Sequence, residues 1–258
     1  MPASYAHYRF GKLLLKEMPA DVRQCIQRFR RMYDMGLHGP DIFFYANPFM
    51  STAAGKLGKQ YHEQSGQKLF SRVCTEAGTE AARAYLYGLL AHYCLDCACH
   101  PFVNRMASSG EAKHIPLEAE FDRYLMALDG IPEPHRHDVT RHMKLTRGEC
   151  MTVAEFYPPA TGANVHGSVR FMAFAIRFLA GKDRQTREKL LQKIKPSLCA
   201  FFIPEEPVEA WSRLDSELLA RFNRGVRQYP ELLQQLEAHR KNGEPLGDLF
   251  VPTFDGEK

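Results

Sequence analysis

Six side chains between positions 92 and 122 have the types and the spacing to do chemistry together: His92, Asp96, His100, His114, Glu118 and Asp122. In HYCLDCACH and again in HIPLEAEFD, imidazole and carboxylate recur at every fourth residue. Residues four apart share one face of an α-helix. An acid between two histidines on an otherwise apolar helix is costly to desolvate unless a cation or hydrogen bonds compensate it. Gly88, four residues before His92, opens the same stripe to a second segment or a ligand. Hydrogen bonds between packed helices would account for any one of these residues. As a consecutive set on apolar helices they favour a metal, and nitrogen and oxygen donors of this kind suit zinc. Asp122, one turn past Glu118, is expected to support a ligand histidine by hydrogen bonding or to be a surface acid.

Several helices must position these groups. One over 79–105 would carry His92 to His100, and one over 114–129 would carry His114 to Asp122, with Pro116 tolerable in its first turn. Apolar periodicity predicts further helices at 5–17 with His7, from Pro19 to a stop at Gly36, and at 54–76 with His62. The same pattern recurs at 133–146, 151–163, 166–181, 184–194 and 208–241, the last with a bend at Pro230, before an irregular tail after Gly243. No run alternates with period two and no repeat occurs, so the expected class is all-α, a single domain over 1–258 with roughly eight to ten helices. The half to about 125 would hold the metal site and 126–258 the helical remainder. Between two of the helices, LHGPDIFFYANP sets Asp41 after Gly-Pro and before Phe43, Phe44 and Tyr45. Asp41 is then a turn acid or one placed for a purpose, and the three aromatics are core residues or the wall of a pocket.

Composition narrows the compartment and the partners. With 34 basic and 30 acidic residues the net charge is +4. That is too mild for a nucleic-acid track despite the basic run from His135 to Arg147, so no stable nucleic-acid complex is expected. No window is apolar enough to span a membrane, and the start MPASYAHYRFG lacks the pattern of a secretory signal. Seven cysteines without paired spacing argue for reduced thiols in the cytoplasm rather than a disulfide framework. Cys94, Cys97 and Cys99 lie deep within a helix and are expected to be core residues.

Five pieces of the chain, in this order, carry a resemblance: HYRFG with His7, GPD with Asp41, GKQYHEQ with His62, the HYCLDCACHPF block, and HIPLE. Together they resemble the bacterial zinc-dependent phospholipase C family, whose all-α fold is shared with the S1/P1 nucleases, over roughly the first 125 residues. The resemblance implies one zinc at Asp41, His62, His92 and Asp96, and a second at His100, His114 and Glu118. It implies a third that Asp96 bridges and His7 holds with the amino terminus. Two zinc ions, or three, are therefore expected as cofactor. Secreted members carry an N-terminal Trp where this chain begins Met-Pro, and choline-selective members carry an aromatic where this chain has Ile42, which argues against a choline substrate.

The implied activity is phosphodiester hydrolysis, with metal-bound water attacking a small phosphoester or phospholipid headgroup. Zinc lowers the pKa of bound water towards neutrality and spreads phosphoryl charge. Asp41 would bind metal, orient the water or act as general base. The alternatives are a nuclease or nucleotide phosphatase on the same metals, or a non-catalytic protein in which zinc ties helices together. An HD-type phosphohydrolase would rest on His137 and Asp138, and a di-iron bundle on Glu111 with His114.

Overall fold

A computed structural model describes residues 4–46 and 53–257. Among them there is no strand, and the all-α class stands with eleven α-helices. They are α1 Ser4–Leu14, α2 Ala20–Arg28, α3 Arg30–Gly36, α4 Ala53–His62, α5 Gly66–Glu76, α6 Glu80–Ser109, α7 His114–Leu128, α8 Arg147–Glu155, α9 Gly162–Ala180, α10 Arg184–Ile194 and α11 Ser212–Asn242. Short 3-10 turns join them, including Gly39–Tyr45 between α3 and α4.

The other helices gather around α6. Thr79 caps its start, its hydroxyl accepting from Ala82 N at 3.1 Å, and Gly110 ends it at φ 78° in the left-handed region. At 30 residues it is about 45 Å long. Every residue from Ala84 to Asp96 is buried, which is the pattern of a helix enclosed on all sides. Helices α1, α2, α3, α5, α7, α8 and α11 all pack on it. The connection 110–113 is short enough to turn α7 straight back along α6.

What Gly88 admits is another segment of the chain. A Cβ there would lie 2.2 Å from Tyr33 O and one at Gly36 would lie 2.3 Å from Tyr85 O, so α3 and α6 cross backbone to backbone. Gly88→Ala is accordingly expected to cost about 1–3 kcal/mol of stability by overpacking, read from denaturant unfolding. A variant as stable as the parent would contradict this crossing.

Local signals moved some helix ends. The segment from Pro19 to Gly36 divides at Phe29, whose φ −121° and ψ 46° separate α2 from α3. Ser65 starts a new helix inside 54–76 by accepting from Lys68 N at 3.3 Å. The expected helix at 133–146 is a 3-10 turn, Pro134–Arg136, followed by turns. Pro132 and Pro134 have no amide hydrogen to give a helix, and Asp138 accepts from Thr140 N and Oγ1 instead. The next helix starts at Arg147 behind a capping box of Thr146 and Glu149. Helix α11 continues through Pro230. Residues after Gly243 form little regular structure, yet Phe250 and Phe254 are fully buried against α6. No described helix is long and apolar enough to cross a membrane.

Candidate metal centre

His92, Asp96 and His100 all face inward from the middle of α6, each with no more than 3 % of its surface exposed. The turn Gly39–Tyr45 lays Asp41 beside them. Gly39 makes that approach possible: it sits at φ 45°, and a Cβ on it would lie 2.7 Å from the His92 ring. Helix α4 ends on His62, α1 presents His7, and the first turns of α7 bring His114 and Glu118.

All eight residues expected to hold metal meet here, in three groups of which the first two share His92: His7, Asp41 and His92; His62, His92 and Asp96; His100, His114 and Glu118. Within each group the potential ligand atoms lie within 4.8 Å of one another. Asp96 is the hub. Its oxygens lie 3.1 Å from His92 Nε2, 3.2 Å from His7 Nε2, 3.6 Å from His100 Nε2 and 3.8 Å from His62 Nε2. Asp41 Oδ1 is 2.9 Å from His62 Nε2, and Glu118 Oε1 is 3.4 Å from both His100 Nε2 and His114 Nε2. The amino terminus that the resemblance adds to His7 lies outside the described residues.

The second nitrogen of three rings is already engaged. His62 Nδ1 lies 2.7 Å from Gly58 O, His92 Nδ1 3.1 Å from Leu37 O, and His100 Nδ1 3.1 Å from Phe254 O. A carbonyl oxygen can only accept, so Nδ1 carries the proton in each ring and Nε2 keeps its lone pair towards the centre. The fit to a cation follows from what is left over. His62 Nε2, His92 Nε2, Asp41 Oδ1, Asp96 Oδ2, Glu118 Oε2 and His7 Nδ1 are buried without a hydrogen bond of acceptable geometry. Buried polar atoms left in this way are costly, and a divalent ion accepting several of them removes the cost.

Electrostatics point the same way. Burial opposes ionisation of Asp96 and Glu118, yet their imidazole neighbours hold Asp96 well below the usual carboxylate range and Glu118 at about 2. Asp41 is likewise lowered against the effect of burial by the positive charge around it, His92 and His62 included. Burial pushes His7 down, whereas Asp96 and the other acids overcome burial and raise His92 and His100. Three ionised carboxylates thus draw positive charge into a buried space.

Asp122 is a buried acid rather than a surface one. Its oxygens accept from Ala6 N at 2.8 Å and Tyr5 N at 3.1 Å, the amides just before His7, so it anchors the first turn of α1. Among the described residues no histidine hydrogen-bonds to it. Burial, with Glu118 nearby, pushes its pKa up to about 8. A cleft opens beside it, lined among others by Ser4, Tyr45, His135 and Ile176. The three aromatics of the turn have separate places: Phe43 packs in the core on Tyr157, Phe44 lies 41 % exposed against His62, and Tyr45 borders the cleft.

Other sequence motifs find ordinary partners. Asp138 is spent on Thr140, Glu111 pairs with Arg213 at 3.1 Å, and Cys94 and Cys97 donate to Gly225 O and Thr253 O. One feature was invisible in the sequence: Phe254 and Asp255 reach the centre from the far end of the chain. The Phe254 ring lies 5.1 Å from that of His62 and 5.6 Å from that of His92, and Asp255 Oδ1 is 3.3 Å from His100 Nδ1. No local pattern marks a carboxylate that meets its histidine from more than 150 residues away.

An all-α bundle with buried His, Asp and Glu groups around its longest inner helix defines a candidate metalloprotein. The family model described as Zinc dependent phospholipase C matches residues 6–157, and the chain belongs to that family. The matched span contains all eight residues of the centre and ends well before Asp255. Neither the curated proteins nor the solved structures gave a match.

Proposed function

We propose that this chain is a zinc-dependent phosphodiester hydrolase of phospholipase C type, acting as a single domain on a small phosphoester or phospholipid headgroup. Asp41, His62, His92 and Asp96 would hold one zinc, and His100, His114 and Glu118 a second. His7 would join Asp96 at a third. The observation that carries the reading is the convergence of these eight donors into close groups, seven of the eight residues buried. Zinc, when bound, lowers the pKa of coordinated water and withdraws charge from phosphoryl oxygens.

The chain's own residues supply the rest. Leu37 O, Gly58 O and Phe254 O fix three imidazoles in the tautomer that offers Nε2. Asp41 is the residue we assign to catalysis: an ionised, buried carboxylate that orients the attacking water and takes its proton. Asp122 holds α1 in place, and through it His7. Burial of most of the donors lowers the effective dielectric around them, which strengthens each charge interaction in the centre. Cytoplasmic location is part of the proposal, and the seven free cysteines suit a reducing compartment.

A substrate panel tests the activity. Bis-p-nitrophenyl phosphate should be hydrolysed in a reaction lost on chelation and restored by zinc, with single-stranded DNA a poor substrate and p-nitrophenyl phosphorylcholine turned over slowly. Preference for DNA would give the nuclease instead. Zinc-loaded protein inert towards all three would contradict the hydrolase.

A further inference from the structure

The segment from Pro252 to Glu257 lies outside the span that the family model matches, and it is seated on the metal centre by contacts specific to it. Tyr93, one residue after His92, shares its one hydroxyl hydrogen between Leu249 O at 3.0 Å and Pro252 O at 2.9 Å, and Gly66 N donates to Pro252 O at 2.9 Å. Phe254 N donates to His62 O at 3.2 Å, and Cys97 Sγ reaches Thr253 O. Gly256 closes the turn at φ 74°, and a Cβ there would lie 2.4 Å from the Pro101 ring and 3.4 Å from Cys97 O. Pro101 has no amide hydrogen to give Cys97 O, so α6, continuous here, lacks one ladder hydrogen bond on the side where the segment lies. The seat therefore requires a glycine at 256, where a side chain would meet the Pro101 ring.

What the segment delivers is two oxygens to one ring nitrogen. Phe254 O and Asp255 Oδ1 stand 3.1 and 3.3 Å from His100 Nδ1, and Nε2 of the same ring faces Glu118 and Asp96. A carboxylate on the rear nitrogen of a ligand histidine fixes the ring's rotation and makes the front nitrogen a stronger donor. We propose that Asp255 is a positioning residue for His100, and that docking of segment 252–257 and metal binding at His100, His114 and Glu118 stabilise one another. The inference rests on the zinc reading above. Its coupling is reciprocal: whatever the docked segment adds to metal affinity, the metal returns to the docking.

Zinc affinity of the purified chain, measured by competition with a chromophoric chelator, tests this without reference to activity. Asp255→Ala should weaken one class of zinc site by about 10- to 100-fold and leave the other unchanged, with Asp255→Asn intermediate because it keeps the shape and one acceptor. Cobalt(II) substitution should show an altered visible spectrum for the weakened site. Amide exchange over 252–257 should be faster in the zinc-free parent than in the zinc-bound one. If Asp255→Ala does not fold, Asp255→Asn carries the test. Affinity and cobalt spectrum equal to the parent's would overturn the inference, including where the variant loses only thermal stability, since that is a contact with no bearing on the metal. A parent that binds no zinc defeats the zinc reading itself, whereas a parent that binds zinc beside indistinguishable variants defeats this inference alone.

Discussion

Asp96→Ala will lose zinc and, with it, hydrolysis, by about 10³-fold or more in kcat/KM, or about 4 kcal/mol of transition-state stabilisation. The size follows from position. Four imidazole Nε2 atoms lie between 3.1 and 3.8 Å from its two oxygens, so no other carboxylate is shared by as many of the candidate donors. Removing it takes from His7, His62, His92 and His100 the one carboxylate that they share. Asp96→Asn keeps the volume and one acceptor but not the charge, and it should lower zinc content nearly as far. Metal analysis beside circular dichroism checks both, since the helical signal should persist while zinc falls. An Asp96→Ala chain that keeps the parent's zinc and turnover would show that the hub is not a ligand.

The second large effect is on stability. Stripping zinc from the parent should lower the melting temperature by about 8–16 °C for each site that was filled at about a thousand times its dissociation constant. That range corresponds to about 4 kcal/mol of linkage per site in a chain of this length. Asp41, Asp96 and Glu118 are each no more than 4 % exposed, and without a cation their charges must be met by protons on neighbouring imidazoles alone. Calorimetry with a chelator, followed by readdition of zinc, measures the loss and its recovery. A melting temperature indifferent to zinc would mean that these groups do not bind it in the folded chain.

Much of the centre was legible in the sequence because its spacing is helical. His92, Asp96 and His100 share α6, and His114 with Glu118 share α7, so local periodicity alone put each set on one face. Asp41 was marked by its company, an acid between Gly-Pro and three aromatics. His7 and His62 carry no periodic signal, and only the order of five short motifs connected them to the rest. Gly88 was read as an opening, and its occupant proved to be Gly36 of α3, which no spacing rule names. The role of Asp122 could not be read either, because its partners are main-chain amides more than a hundred residues earlier. The helix expected at 133–146 failed for a local reason, two prolines that remove amide donors and an Asp that offers Thr140 a turn instead. Phe254 and Asp255 needed the folded chain, since nothing near them in sequence shows that the last turn reaches His100.

The central claim is that scattered imidazoles and carboxylates share bound zinc at one inner helix. Anomalous diffraction at the zinc edge from zinc-loaded crystals tests it most directly. The expected result is at least one pair of peaks in the centre, about 2.0–2.2 Å from Nε2 of His62 and His92 and from Nε2 of His100 and His114, each with a position open to solvent. Peaks bound elsewhere, with these rings turned to separate partners, would contradict it.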